Sequence, residues 1–193
     1  RAFRAAVNKD GDEISPDVHR GMEWTSDADL TAIISYLRVL PAVENEVDRR
    51  NVSFLTRNTT GFFIGTFDVR GYVPAVDPRS DQQYGRYLMD HVARCTSCHN
   101  SPGSILSSEG YLTGGASIRT ESGDKVAPDI TASALYGIGE WNEDDIVNYL
   151  KTGKTPDHKQ VDPAYCPVNF YRNASERDLR ALARFLKTVN VAK

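Results

Sequence analysis

The sequence offers little that would place it in a membrane or on nucleic acid. No apolar run approaches the roughly 20 residues of a membrane-spanning helix, and the longest candidate, residues 61–68, is interrupted by Gly65 and closed by Asp68. The net charge is −3 with scattered Lys and Arg, whereas phosphate binding needs clustered basic side chains. We therefore expect no nucleic-acid partner and no transmembrane segment in this chain. The opening residues 1–4 do not have the pattern of a signal peptide.

Sulfur-containing residues are also few, since the chain has two methionines and three cysteines. The odd number of cysteines excludes a framework in which all of them pair within the chain. The sequence contains no nucleophile with an adjacent base, no paired catalytic carboxylates and no phosphate-binding loop. The chain is therefore not predicted to be an enzyme, and its chemistry is expected at the cysteines.

A partial internal repeat organises the chain. Residues 26–38 match residues 175–187 in one register, with a serine, acidic residues and then apolar positions at helical spacing in each. Serine is a preferred helix N-cap, and acidic residues in the first turn suit the helix dipole. Two unrelated amphipathic helices would show a similar pattern, but the number of matched positions favours a true repeat. Each segment is predicted to form a helix, and Pro41 ends the first one.

The repeat predicts three parts in the chain. Residues 1–45 are interpreted as the closing half of a first module that lacks the Cys-x-x-Cys-His pattern found in the second. Residues 46–81 form a linker rich in glycine, proline and aromatic residues. Residues 82–193 are interpreted as a complete second module.

Within the second module the coarse pattern is helical. Helices are predicted over residues 82–94 and over residues 142–151, with Asn142 as the cap of the second and Gly153 at its end. The glycine- and serine-rich residues 103–128 are predicted to form a loop. No strand pattern is evident, so the predicted fold class is mainly α with long loops.

The chemistry of this module lies in Cys95, Cys98 and His99, which form the Cys-x-x-Cys-His pattern of c-type haem attachment. Two thiols three positions apart on one helical turn can form thioethers with the two vinyl groups of a porphyrin, and the histidine can then bind the iron. A dithiol redox pair would need a βαβ context. A zinc site would need a second Cys or His pair at ligand spacing, and only His158 and Cys166 are available. The pattern therefore favours one covalent haem c with the histidine as an axial ligand.

The second module resembles a class I cytochrome c domain of the kind repeated in multi-haem cytochrome c subunits of bacterial membrane dehydrogenases. The resemblance covers most of residues 82–193, and residues 1–45 resemble the tail of a second copy. Beyond the haem motif, the matching stretches are Tyr84-Gly85-Arg86-Tyr87-Leu88, Gly114-Gly115, Ala127-Pro128-Asp129-Ile130-Thr131, Gly137-Ile138-Gly139-Glu140-Trp141, Asp144-Asp145-Ile146, Leu150-Lys151-Thr152-Gly153 and the helix that begins at Ser175. The resemblance implies a cytochrome c fold with long loops that enclose the haem.

The resemblance also implies roles for residues outside the motif. It places Pro128 against the axial histidine, where a backbone carbonyl supports the ring, and Trp141 where the family meets the haem propionates. Core packing explains Trp141 equally well. Asp129 stands where the family usually has asparagine, so the hydrogen bonding of that residue is not carried over.

In the family, the helix before the haem motif crosses the closing helix. This crossing would place Gly85 and Leu88 near Leu182 and Phe185. A glycine at the crossing lets the two backbones approach closely, which is a structural role.

The sixth ligand of the iron departs from the family pattern. Relatives use the methionine of a Met-Pro pair before the closing helix, but Met22 and Met89 both precede the haem motif. Counting back from Ser175 to the family position gives Cys166, which is also followed by proline. The alternatives are His158 and an iron without a second protein ligand. A thiolate at this position would stabilise ferric iron and lower the reduction potential, whereas methionine raises it.

These residues predict an electron carrier rather than an enzyme. Redox proteins of a dehydrogenase or oxidase complex are the expected partners, and docking to a membrane complex is compatible with the pattern. Covalent haem is attached outside the cytoplasm in bacteria, so the motif predicts a periplasmic location. Two alternatives stay open, which are a Cys-ligated haem enzyme of thiosulfate oxidation and a haem-based sensor.

Overall fold

The structure is a computed structural model that describes residues 2–8, 19, 21–45, 69, 71–103 and 108–190. The chain divides into two compact units, Arg1–Ala75 and Val76–Lys193. Most of the predicted linker, from residue 46 to residue 68, lies outside the described residues. The three-part division inferred from the repeat therefore stays a prediction.

The described residues of the first unit include two helices, α1 (Ala2–Ala5) and α2 (Asp27–Val39). Ser26 caps α2, since its Oγ accepts a hydrogen bond from the backbone N–H of Asp29 at 3.1 Å. The helix ends directly before Leu40 and Pro41, because the residue before a proline is restricted to extended conformations. The helix predicted from the first copy of the repeat is confirmed.

Three segments of the first unit meet at the beginning of α2. Arg4 on α1 forms an ion pair with Asp27, and its guanidinium also donates to the carbonyl of Thr25. The backbone N–H of Asp27 donates to the carbonyl of Val73 at 3.0 Å, and the N–H of Val73 returns a 3.2 Å bond to the Asp27 carboxylate. The first turn of α2 is thereby tied to both ends of the unit.

The second unit contains five α-helices, one π-helical turn and a two-stranded sheet among its described residues. In chain order these are α3 (Asp81–Tyr87), the π turn (Leu88–Val92), α4 (Thr96–His99), β1 (Ser117–Thr120), β2 (Gly123–Val126), α5 (Glu143–Thr152), α6 (Val168–Tyr171) and α7 (Glu176–Leu186). None of the helices in the described part of the chain is long and apolar enough to cross a bilayer. The predicted mainly α class is confirmed.

Helix α7 lies at the centre of the second unit, against α3 and α5. Its apolar side chains Leu179, Leu182, Ala183 and Leu186 are all buried. Burial of each leucine contributes about 1.5–3 kcal/mol, so this face supplies much of the driving force for the unit. The helix predicted from the second copy of the repeat is confirmed, with Ser175 as its cap.

The crossing of α3 and α7 depends on Gly85. A Cβ built on this glycine would lie 2.6 Å from the Cβ of Phe185, which is closer than carbon atoms approach without a shift. The predicted close approach of the two helices is therefore confirmed. It holds the end of α3, and the haem motif that follows it, against the core.

The helix predicted over residues 142–151 is confirmed as α5. Asn142 and Asp145 form a reciprocal capping box, with bonds of 2.9 Å in each direction. Gly153 ends the helix. The helix predicted over residues 82–94 is instead an α-helix that continues into the π turn.

The absence of a strand pattern over residues 103–128 was misleading. Strands β1 and β2 form an antiparallel hairpin, with register from Ser117↔Val126 to Thr120↔Gly123. Each strand has four residues, and β2 is exposed along its whole length. Because a strand without a buried face needs no alternation of apolar and polar residues, the period-two signal is missing from the sequence.

Candidate haem-attachment site

The Cys-x-x-Cys-His motif forms one turn of helix directly after the π turn. Cys95 precedes α4, and its carbonyl accepts from the N–H groups of Cys98 at 3.2 Å and His99 at 2.9 Å. The backbone N–H of Cys95 donates to the carbonyl of Met89 in the π turn at 2.9 Å. The motif is therefore a short helix that a backbone hydrogen bond joins to the π turn.

The ring of His99 is oriented by a backbone carbonyl. Its Nδ1 lies 2.8 Å from the carbonyl oxygen of Pro128. A carbonyl can only accept, so this contact assigns the proton to Nδ1 and leaves the lone pair of Nε2 available. Burial lowers the pKa of His99, although the Pro128 hydrogen bond opposes this shift. The lowered pKa favours a neutral imidazole, the form that binds a metal.

Gly114 lies between the backbone of His99 and the backbone of Pro128 and holds the two segments together. Its N–H donates to the carbonyl of His99 at 2.6 Å, and its φ of +72° lies in the left-handed region that favours glycine. A Cβ here would lie 2.6 Å from the carbonyl oxygen of Ala127 and would also meet the backbone of Pro128. Any larger residue would separate the histidine segment from the proline segment.

The hairpin brings Pro128 to this position. Its base is closed by backbone bonds from Gly115 to the Ala127 carbonyl at 2.9 Å and from Ala127 to the Ala116 carbonyl at 2.8 Å. Pro128 follows directly after this base. The hairpin, which has no signal in the sequence, is thus the element that aims the carbonyl at His99.

The two motif cysteines are half-buried and form no disulfide. Burial raises the pKa of the Cys95 thiol to about 12, and negative charge at Cys166, Cys98 and Asp90 adds to the shift. An environment that resists an anionic sulfur suits an uncharged thioether. This donor set, with two adjacent sulfurs and an oriented imidazole, fits a covalently attached haem.

Cys166 interacts electrostatically with both motif cysteines, because its charge affects Cys95 and the charge of Cys98 affects Cys166. It precedes α6 and is half-buried, and the carbonyl of Asp162 accepts from its N–H at 3.3 Å. Burial raises the pKa of the Cys166 thiol, while a hydrogen bond with Tyr149 lowers it and charge at Cys98 raises it. The structure therefore brings Cys166 near the motif.

Trp141 is joined to the same region through Tyr149. The two rings meet edge to face with centroids 5.5 Å apart. The carbonyl of Trp141 accepts from Nζ of Lys187 at 2.7 Å, which fixes the tryptophan backbone against the end of α7. The indole also packs on the buried core. The core-packing interpretation of Trp141 is thus supported, and its contact with a propionate stays a prediction.

His158 is placed differently. It is exposed in a short loop that the Lys154↔Gln160 bridge closes, and its N–H donates to the carbonyl of Thr155 at 2.8 Å. Its φ of +63° is sparsely populated for a residue with a side chain. Of the two candidate sixth ligands, Cys166 is the one whose charge acts on Cys95.

Asp129 replaces the family's asparagine without loss of its local bond. Its Oδ1 accepts from the backbone N–H of Thr131 at 2.7 Å, which the side-chain oxygen of asparagine would do equally well. The charge of Asp129 favours the protonated form of His99 and so opposes the effect of burial on its pKa.

Three tyrosines surround the site, and sequence reasoning missed two of them, Tyr111 and Tyr149. Tyr171 donates from its hydroxyl to the carbonyl of Ala93 at 3.1 Å, just before the motif. Tyr111 donates to Asp90 at 2.7 Å, and Tyr149 bonds to Cys166. Burial raises the pKa of all three, so they are neutral hydroxyl donors. Only Tyr171 had a signal, because it belongs to the segment that follows Cys166.

Comparison with known proteins gives independent evidence about the family of this chain. No family model matches the chain. It is 30% identical over 202 residues to the cytochrome c subunit of alcohol dehydrogenase (quinone) from Gluconobacter oxydans (strain 621H), covering 98% of this chain and 42% of that protein. It is 27% identical over 198 residues to the fructose dehydrogenase cytochrome subunit of Gluconobacter japonicus, covering 98% and 40%.

A third relative is the gluconate 2-dehydrogenase cytochrome c subunit of Pantoea cypripedii, which is 30% identical over 203 residues and covers 98% of this chain and 46% of that protein. The chain thus spans less than half the length of these relatives. Two of these relatives are cytochrome c subunits, a description that implies covalent haem c and agrees with the Cys-x-x-Cys-His motif. The chain is therefore homologous to the cytochrome c subunits of dehydrogenases, which confirms the family resemblance inferred from its sequence.

Proposed function

We propose that the second unit binds one c-type haem, with thioethers at Cys95 and Cys98 and iron ligation by His99, and that the chain transfers electrons. The observation that carries this proposal is the 2.8 Å contact between Nδ1 of His99 and the Pro128 carbonyl. Because this contact occupies Nδ1, Nε2 on the other side of the ring is left to bind the iron. When bound, the haem supplies a one-electron couple. The protein residues hold the imidazole neutral and fixed in orientation.

The structural surroundings support this role. Gly114 keeps the proline segment against the histidine segment, and the π turn holds the motif from the other side. These backbone bonds keep the Pro128 carbonyl in place, and its contact with Nδ1 limits rotation of the imidazole. A ligand held in one orientation needs little rearrangement when the oxidation state changes, which favours a carrier.

For the sixth ligand we propose Cys166. It occupies the family's methionine position, and its electrostatic influence reaches Cys95. Burial alone would keep its thiol protonated, but a metal cation deprotonates a thiol that coordinates it. A thiolate ligand stabilises ferric iron, so the haem is expected to have a low potential.

The ligand proposal is tested with three variants. Cys166→Ala should abolish the thiolate-to-iron charge-transfer feature of the ferric spectrum, and His158→Ala should leave it unchanged. Cys166→Met should raise the potential, because a thioether favours ferrous iron. A ferric spectrum that lacks the feature in the wild type, or keeps it in Cys166→Ala, would contradict the assignment.

The relatives suggest the setting. They are cytochrome subunits of dehydrogenases, so a dehydrogenase subunit that passes electrons to this chain is the proposed partner. Catalysis would then belong to that partner. The location would be periplasmic, with docking to a membrane complex. In the fold, residues 1–45 are proposed to be the closing half of a further cytochrome-like module.

The haem proposal is tested by producing the chain in a bacterium that attaches c-type haem. The intact mass should exceed the polypeptide mass by one haem, and the pyridine spectrum of the reduced protein should be that of a haem with two thioether bonds. The double variant Cys95→Ala, Cys98→Ala should lose the covalent haem, while Cys166→Ala keeps it. A wild-type protein without added mass would refute the proposal.

A second candidate, oxidation of sulfur compounds such as thiosulfate, is favoured by one observation. Cys166 is only half-buried beside the motif, and a cysteine-ligated haem is the centre that such chemistry uses. Steady-state assays should show no thiosulfate oxidation if the chain is a carrier. Binding of carbon monoxide to the reduced protein without loss of a ligand would instead favour a haem-based sensor.

A further inference from the structure

We propose that Asp90 is a fixed negative charge beside the Cys95 attachment point and that it lowers the reduction potential of the haem. The inference rests on the proposed haem attachment. It assigns a role to a residue outside the Cys-x-x-Cys-His motif, on the π turn that sequence reasoning had treated as ordinary helix.

The π turn sets where Asp90 lies. Such turns are rare and occur frequently at functional sites. The Asp90 side chain is 16% exposed, whereas that of Arg86, one turn earlier, is 68% exposed. The aspartate is thus turned toward the protein interior.

The same turn holds the motif. The carbonyl of Met89, the neighbour of Asp90, accepts from the N–H of Cys95 at 2.9 Å. The carboxylate of Asp90 lies close enough to Cys95 for its charge to disfavour an anionic sulfur there. Backbone and charge therefore connect the π turn to the same cysteine.

Both carboxylate oxygens of Asp90 are fixed by donors. Tyr111 donates its hydroxyl to Oδ1 at 2.7 Å, and Nε of Arg86 donates to Oδ2 at 3.3 Å. The ring of Tyr111 packs edge-on against Phe185 in α7 with centroids 6.4 Å apart, so the stronger donor is anchored in the core. The guanidinium of Arg86 also lies over the Tyr111 ring, 5.8 Å from its centroid.

The balance of charge favours the carboxylate as the dominant influence. Arg86 is largely in solvent, where its charge is screened, while Asp90 is mostly covered and is screened less. Tyr111 is a neutral donor. The arrangement therefore leaves the Asp90 carboxylate as the less screened charge of this pair, on the side of the site where Cys95 lies.

The direction of the effect follows from the change in charge. Reduction adds one electron to the iron without forming or breaking a bond, so the net charge of the centre falls by one. A nearby negative charge stabilises the more positive, oxidised state. Asp90 thus makes reduction less favourable and acts in the same direction as a thiolate at the sixth position.

The test measures the midpoint potential of the haem protein by spectroelectrochemical titration. Asp90→Asn removes the charge but keeps an oxygen that accepts from Tyr111, and the potential should rise. Tyr111→Phe keeps the charge and removes the hydrogen bond, so its shift should be smaller than that of Asp90→Asn. Arg86→Gln, at an exposed side chain, should lower the potential and gives a folded variant of opposite sign.

The outcomes separate the two proposals. A wild-type chain without covalent haem would refute the proposed function, whereas haem-loaded variants with unshifted potentials would refute only the role of Asp90. Shifts of the same sign in Asp90→Asn and Arg86→Gln would also overturn it, because a charge effect requires opposite signs. Unchanged ferric and ferrous spectra in the variants would show that the axial ligands are retained.

Discussion

Helices α2 and α7 begin from the same sequence pattern and end in different environments. Both start after a serine that caps the helix, and both place acidic residues in the first turn. In α7 the apolar face is buried, with Leu182 only 5% exposed, whereas the matched Ile33 of α2 is 39% exposed. No residue of α2 is buried.

The contrast separates the features of a helix that its own sequence determines from the burial of its apolar face, which requires another element to pack against it. Capping and dipole interactions are local, so they form in both helices. Burial requires an opposing surface, which α7 has in α3 and α5. An amphipathic pattern therefore predicts that a helix has an apolar face, but not that the face is covered.

The largest expected effect comes from the matched apolar positions. Leu182→Ala should lower the free energy of unfolding by about 2–5 kcal/mol, because it removes buried methyl groups and leaves a cavity. Ile33→Ala should cost about 1 kcal/mol or less, since much of its side chain already contacts solvent. Urea unfolding followed by circular dichroism measures both. Equal losses would mean that the face of α2 is covered in solution.

The close crossing in the second unit should be the next most sensitive point. Gly85→Ala places a methyl group against Phe185 and the backbone of α7, and overpacking of this kind costs about 1–3 kcal/mol. Ala32, at the position of α2 that matches Ala181 of the crossing, is exposed and serves as the matched control. Ala32→Ser should be nearly neutral in the same unfolding assay. A stable Gly85→Ala protein would show that the helices can separate without cost.

The elements predicted from sequence are those whose causes are local. Ser26, Asn142 and Ser175 cap their helices through side chains within three residues, so the spacing of these residues was sufficient. The π turn and the hairpin have other causes. The hairpin is exposed on β2, and the π turn differs from an α-helix only in which carbonyl each N–H selects, so neither leaves an apolar period in the sequence.

The candidate site also contains residues that the sequence predicts and contacts that it does not. Cys95, Cys98 and His99 are adjacent in sequence and were recognisable by chemistry alone. The contacts of Tyr149 with Cys166 and of Tyr111 with Asp90 join segments that only the fold brings together. No spacing rule connects such pairs, because their separation is set by loops of irregular length.

Removal of the serine cap should destabilise α2 and α7 by similar amounts, in contrast to truncation of their apolar faces. Ser26→Ala and Ser175→Ala should each cost about 1 kcal/mol, because each leaves one N–H of the first turn without its side-chain acceptor. Threonine at either position keeps the hydroxyl and should restore most of the loss. Thermal unfolding of the four variants measures this. A cap effect confined to α7 would show that α2 depends on packing rather than on local bonds.

The smallest effects should come from the first-turn carboxylates at the matched positions Asp27 and Glu176. Hydrogen bonds from Arg4 and from Lys151, respectively, hold the pKa of each carboxyl below its usual value. Because the folded-state pKa is lowered, each group stabilises the fold above its unfolded pKa, and this contribution is lost as the pH falls through the folded pKa.

Added salt should affect these two carboxyls differently, because the side chain of Arg4 is 13% exposed whereas those of Lys151 and Arg180, the partners of Glu176, are 40% and 38% exposed. In NMR titrations of the side-chain carboxyls, added salt should raise the pKa of Glu176 more than that of Asp27. An equal rise would show that the environment of Asp27 is as open to solvent as that of Glu176, and the start of α2 would then be no better shielded than its apolar face.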